Sequence, residues 1–253
     1  MRREKLKDLS PDISTNAGLC LDKYLCGEEQ RRAAHNKQPK TLLVKELSAN
    51  IKAGKLYGDF FESWKQALTN EQTKLAEAKV EGRLAIGLGD DGVLETSITL
   101  HHTYGVPYIR GSALKGLAAA FARNRVGGMW EKGSAAYNII FGKTEDAGYV
   151  TFHDALYVPG SGHNGQALYA DIMTVHHSDY YVSGDKPPAD WDEPIPVPFL
   201  SATGKYLIAL SSPKGCEEWR QAAFDILKLA LAEEGIGAKT SSGYGRMKLE
   251  VSK

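Results

Sequence analysis

Two amphipathic helical patterns, a hundred residues apart, each lie between short alternating apolar stretches, and this alternation limits the fold more than any other feature. The first follows "YIRGS": Leu114, Leu117, Ala118 and Phe121 recur at i, i+3, i+4 and i+7, with Ser112 placed as its N-cap. The second places Trp219, Ala222, Ala223, Ile226, Leu227 and Ala230 on one face and ends near Gly235. Around them, "RLAIGLG" (83–89), "LETSITLHH", "GYVTFHDALYV", "ADIMTVHHSDYYV", "KYLIALSS" and "GYGRMKLEV" read as strands. In the last of these, Met247, Leu249 and Val251 alternate with Arg246 and Lys248, and Tyr244 shares the polar side. From about residue 83 the order is strand, helix, two strands, strand, helix, strand. That is an α+β, ferredoxin-like (RRM-like) plan with both helices on one sheet face.

The remaining segments decorate this plan. Residues 1–80 read as a partly helical N-terminal extension, with Phe60, Phe61, Trp64 and Leu68 carrying a helical pattern that continues to Val80. Residues 81–253 form the ferredoxin-like domain. "SGDKPPADWDEPIPVPFLS" holds five prolines in nineteen residues, which excludes central sheet and helix, so an inserted arm is expected over about 157–203.

Glycines mark the places where backbone must come close to something. Gly116 lies inside the first helix, where it costs about 1 kcal/mol relative to Ala, and so signals tight packing or a close partner. "EEGIGAKTSSGYGR" carries Gly235, Gly237, Gly243 and Gly245 with Lys239, Thr240, Ser241, Ser242, Tyr244 and Arg246. Such a loop can line a concave surface with N–H donors for phosphate oxygens. It follows a helix and precedes a strand, the reverse of a Walker A loop, and an Ala stands before Lys239, so an NTPase site is excluded. The first helix start, with Arg110, Gly111, Ser112 and Lys115, offers a second anion site of free N–H groups.

Charge is balanced overall, 31 basic against 31 acidic residues, but is unevenly distributed. Residues 105–143 hold six Lys/Arg and one Asp/Glu, whereas residues 144–200 hold one and nine. Blocks of opposite sign suit a chain that binds a polyanion on one side and proteins on another. The pairs His101-His102 and His176-His177 point to opposite faces of a strand, and no His or Cys pair has ligand spacing, so neither a metal site nor a cofactor is expected. Asp90, Asp91 and Glu95 are the candidates for a general base near a scissile phosphate. Three cysteines without a CxxC, and no apolar run of membrane length, suit a reduced cytoplasmic protein.

"PYIRGSALKGLAAAFAR", "FGKTEDAGYVTFHDA" and "GIGAKTSSGYG", in that order, resemble the RAMP superfamily of CRISPR-associated RNA-binding proteins. "STNAGLCLDKYL", "DIMTVHHSDYY" and "PIPVPFLSATGKYLIAL" extend the likeness to the sixth-subunit branch of type III-B Cmr effector complexes. The resemblance implies a non-catalytic subunit that cradles CRISPR RNA by its phosphate backbone and contributes to target RNA binding in antiviral defence. It also implies an arm over the guide–target duplex, and other RAMP and small helical subunits as partners. The expected contacts are Arg110, Gly111, Ser112 and Lys115, then Gly235, Gly237, Lys239, Thr240, Ser241, Ser242, Gly243, Tyr244 and Arg246. The family usually carries proline at the place of Arg110. Its target-cutting members place an aspartate after the first strand, where this chain offers Glu95 with Asp90 and Asp91 nearby. A RAMP-type endoribonuclease that cuts guide precursor or target RNA is therefore the alternative reading.

Overall fold

The computed structural model describes residues 15–23, 38–91, 96–177, 180, 184 and 187–250. Among these residues three helices come first, α1 (Ala17–Lys23), α2 (Gln38–Asn50) and α3 (Lys55–Leu68). Then follow β1 (Thr73–Val80), β2 (Tyr108–Ile109), α4 (Gly111–Phe121), α5 (Ala135–Phe141), β3 (Thr151–Phe152) and β4 (Ala155–Tyr157). The chain continues with β5 (Leu168–Val175), β6 (Ile195–Ala202), β7 (Lys205–Ser211), α6 (Glu217–Glu233) and β8 (Met247–Glu250).

The main sheet runs β2-β4-β7-β1-β8, with β3 also on β7, and every pairing is antiparallel. This is the strand order of a ferredoxin-like fold, reached with one correction to the sequence reading. The first core strand is Thr73–Val80, not 83–89, and the helical reading of residues up to Val80 fails after Leu68. "TKLAEAKV" is rich in helix formers, but its Ala76, Ala78 and Val80 alternate into the core, and pairing to both β7 and β8 overrides local propensity. Residues 83–89 form no strand. Gly87 turns the chain at φ +70°, and between this segment and "LETSITLHH" only two backbone bonds run among the described residues, Ser97 to Leu88 (3.4 Å) and Thr99 to Ile86 (3.0 Å).

In β7, Tyr206 to Leu210 are all buried, so this central strand is covered on both faces. Helix α6 lies on the face of Lys74 and Ala76, where the Lys74 ammonium stands 4.7 Å from the Phe224 ring centre. Helix α4 packs on α6 with Leu114, Ala118 and Phe121 buried. From the N-terminal part, the buried Tyr57 of α3 donates to the Tyr157 carbonyl (2.6 Å).

Within the expected arm the chain builds a two-stranded ribbon, with β5 and β6 in register from Leu168↔Ala202 to Val175↔Ile195. Pro196 and Pro198 lie in β6, a position open to proline because the strand needs no ladder partner on its other side there. At the base, Leu84 bridges Ala202 and ties the ribbon to residues 83–86. Helix α2 packs along the ribbon.

Candidate nucleic-acid interface

The glycine loop closes first on its own chain. Gly235 (φ +77°) ends α6 and donates to the Ala230 carbonyl (3.1 Å), the ordinary role of a glycine after a helix. The loop then clasps residues 83–85: Ala238 N–H donates to Ala85 O (2.7 Å) and Gly245 N–H to Arg83 O (2.8 Å). A Cβ on Gly237 would stand 2.2 Å from Ala85 O, and one on Gly245 1.9 Å from Ile236 O. These two glycines are therefore required by a contact inside the molecule.

The tip is different. Lys239 takes a left-handed conformation (φ +59°), residues Thr240–Ser242 make one 3-10 turn, and Gly243 (φ +89°) has open space around it. Ser242 and Gly243 bond back to Lys239 O and Thr240 O. Among the described residues, the N–H groups of Lys239, Thr240 and Ser241 donate no hydrogen bond, and the Lys239 ammonium has no partner. Lys239, Ser241 and Ser242 are exposed. Three consecutive free donors beside a cation suit an anionic oxygen.

The helix start near Ser112 departs from expectation. Arg110, not Ser112, is the N-cap, with φ −61° and ψ 135° and no side-chain cap. Gly111 is pressed against the Phe152 carbonyl, 2.1 Å from where a Cβ would lie, and the helix starts there, two residues earlier than expected. Its N–H then meets the Asp154 carboxylate at 2.6 Å. The positive end of this helix is thus occupied by an anion of the same chain. Arg110 is itself paired to Asp90 (3.2 Å). Ser112 is exposed and Lys115 half-buried without a partner among the described residues, while the space around Gly116 is empty, which removes tight packing as its reason. The two candidate sites are joined by one segment. The loop holds Ala85 and Arg110 holds Asp90, five residues on, a reach of at most about 18 Å.

Tyr244 and Arg246 are also committed inside the molecule. Tyr244 Oη donates to Asp171 Oδ2 (2.7 Å), and Arg83 pairs with the same oxygen (2.6 Å) while lying 3.8 Å over the Tyr169 ring. Burial pushes the Asp171 carboxyl up, but the hydrogen bonds from Arg83 and Tyr244 outweigh it and hold its pKa below the usual range. Burial, then the bond to Asp171, pushes the Tyr244 hydroxyl up to about 12. Tyr244 is therefore the tie between the glycine loop and the ribbon. Arg246 Nη1 donates to Ala232 O (3.0 Å) at the end of α6. Arg83, Asp154 and Asp171 escape sequence reasoning because each acts across long chain separations with no local pattern to mark it.

Of the candidate bases, Asp90 and Asp91 are exposed, Asp90 also lies 3.5 Å from the Thr99 hydroxyl, and Glu95 lies outside the described residues. A groove of about 970 Å³ opens beside them, lined by Asn16, Asp22, Asp90, Asp91, His101, His102 and Arg110 among others. His101 sits among Phe60, Tyr104 and Tyr108, and its pKa is lowered chiefly by burial. Among the described residues no group of three or more His, Cys, Asp or Glu is placed to hold a metal ion, and no helix is long and apolar enough to cross a membrane.

Residues 77–248 match the RAMP superfamily. The CRISPR system Cmr subunit Cmr6 of Pyrococcus furiosus is 31% identical over 252 residues, covering 78% of this chain and 74% of that protein. The fold matches, with a TM-score of 0.68 at 23% identity, a chain in a cryo-EM structure of the type III-B Cmr-beta complex bound to cognate target RNA, covering 89% of this chain and 75% of the other. With a family match over 77–248, more than half of the chain, and a relative this similar over most of its length, the chain belongs to the RAMP superfamily, alongside the Cmr6 subunits.

Proposed function

We propose that this chain is a structural, RNA-binding subunit of a type III-B CRISPR effector complex. It holds CRISPR RNA by its phosphate backbone and assembles with other RAMP and small helical subunits around guide and target RNA, in the cytoplasm. The observation that carries this reading is the free tip at 239–243. A family fold otherwise tied together by its own hydrogen bonds leaves, among the described residues, the exposed Lys239 ammonium and the N–H groups of Lys239, Thr240 and Ser241 without partners. Donors of this kind grip phosphate oxygens without reading bases, as a guide-holding subunit requires. Lys115 and Ser112 contribute at the edge of the site, and Arg110 joins if it leaves Asp90.

The subunit is non-catalytic in this reading. Asp90 is engaged by Arg110 rather than free to take a proton, which disfavours the endoribonuclease alternative. Two measurements test the proposal. The purified chain should bind single-stranded RNA weakly, with affinity that falls steeply with salt and is tightened by its partner subunits. Labelled RNA should stay intact with and without Mg²⁺. Cleavage abolished by Glu95→Ala, Asp90→Ala or Asp91→Ala would replace the structural reading with the nuclease one.

A further inference from the structure

The register of the main sheet stacks like charges across three strands. Lys79 of β1 lies directly opposite Lys205 of β7 on one side and Lys248 of β8 on the other. One row further, Glu77 lies opposite Glu250. Like charges directly opposite on adjacent strands are destabilising, so a lysine row and a glutamate pair side by side call for a cause. The glutamates have one: Lys205 reaches out of its row to bond both Glu77 and Glu250, each at 3.1 Å. That leaves Lys79 and Lys248, both exposed, facing each other with no partner among the described residues.

Their position is what matters. The pair lies on the face opposite Ala78, Met247 and Leu249, which are buried, and two residues beyond the exit of the glycine loop, where Arg246 O accepts Glu81 N–H (2.8 Å). Adjacent strands are about 4.8 Å apart, so the two ammonium groups can close on one stretch of a polyanion. We infer that Lys79 and Lys248 form a second phosphate-binding row, which takes the RNA strand where it leaves the tip at 239–243. This rests on the proposed function and extends it to a surface outside the loop. The adjoining glutamate row favours a thin phosphodiester strand over an acidic protein. A strand can run along the lysine row, whereas a broad acidic surface would be laid over Glu77 and Glu250 and repelled.

The test compares wild type, Lys79→Ala/Lys248→Ala and Lys239→Gly in binding oligouridylate over a range of salt concentrations. Loss of two phosphate contacts should make the plot of log K against log salt shallower by about 1.4 and weaken binding on the order of tenfold near 0.1 M salt. The melting temperature of the free double variant should rise by about 1–3 °C, since a repulsive pair is removed. An unchanged slope in the double variant, with weakened binding in Lys239→Gly, overturns the row and leaves the loop reading standing. An unchanged RNA slope with lost binding to polyaspartate makes the row an acidic-protein site and also overturns the inference. A lowered melting temperature does the same, because the lysines are then structural. Absence of salt-dependent RNA binding in the wild type removes both the row and the function it rests on.

Discussion

Two segments of this chain, 110–116 and 235–246, carry the same credentials in sequence: glycines, hydroxyls and a basic residue where backbone N–H groups are exposed. In the structure they have opposite fates. At α4 the leading N–H is bonded to Asp154 and the arginine before it to Asp90, so an acidic chain neighbour already sits at each position an external phosphate would seek. At the glycine loop the bonds to other segments lie in the stem, while the tip bonds only within itself and leaves the N–H groups of Lys239, Thr240 and Ser241 unbonded among the described residues. The difference shows that anion-binding composition describes what a segment offers, while topology decides whether the chain consumes the offer itself. In the proposed function the loop tip is the primary contact, and the helix start is held in reserve.

The largest effects are expected at the glycines. Gly245→Ala drives a Cβ into Ile236 O at a positive φ and should cost about 3 kcal/mol or more, whereas Gly243→Ala, also at positive φ but in open space, should cost about 1–2 kcal/mol, by thermal denaturation. At the other segment, Gly111→Ala should be comparably damaging, while Gly116→Ala should stabilise by roughly 0.5–1 kcal/mol. Next in size is the effect on RNA. Lys239→Gly removes the charge and relieves the left-handed residue, so RNA affinity should fall about fivefold near 0.1 M salt while stability holds. Arg110→Ala, losing a guanidinium already paired, should weaken binding less than twofold.

Asp154→Asn acts on the helix start itself. It should lower stability by about 1 kcal/mol through loss of the carboxylate at the α4 start, and raise RNA affinity by exposing that start to phosphate. The smallest effect concerns the tie between loop and ribbon. Tyr244→Phe should cost about 0.5–1 kcal/mol at neutral pH. The folded Asp171 has a lowered pKa, so its contribution is full above about pH 4 and is lost as pH falls through the folded value. Tyr244 has a raised pKa, so its contribution is present below about pH 10 and is lost as pH rises through about 12. The difference between wild type and Tyr244→Phe should therefore narrow at both extremes of a melting-temperature profile against pH.

Much of the fold is legible in the sequence because it rests on local pattern. The stripe from Leu114 to Phe121, the α6 stripe, and the alternation at Val150–Phe152 and Met247–Leu249 all follow from burial at a fixed period. The first strand escapes because Lys, Ala and Glu favour a helix there and only pairing with β7 and β8 makes Thr73–Val80 extended. The site is legible to the same degree. Its glycines announce close backbone approach, but the partner of that approach, Ala85 O, belongs to a segment about 150 residues away in sequence. Asp154 and Asp171 decide which donors are spent, and nothing in their neighbourhoods distinguishes them from solvated acids. The lysine row exists only in the register.

In the proposed function, phosphate is taken by the loop tip and not by the helix start. Backbone amide shifts of the protein during titration with single-stranded RNA test it directly. The amides of Lys239, Thr240 and Ser241 should move first and furthest, while that of Gly111, held by Asp154, stays in place. Movement of Gly111 and Ser112 with an unperturbed 239–241 would contradict the account.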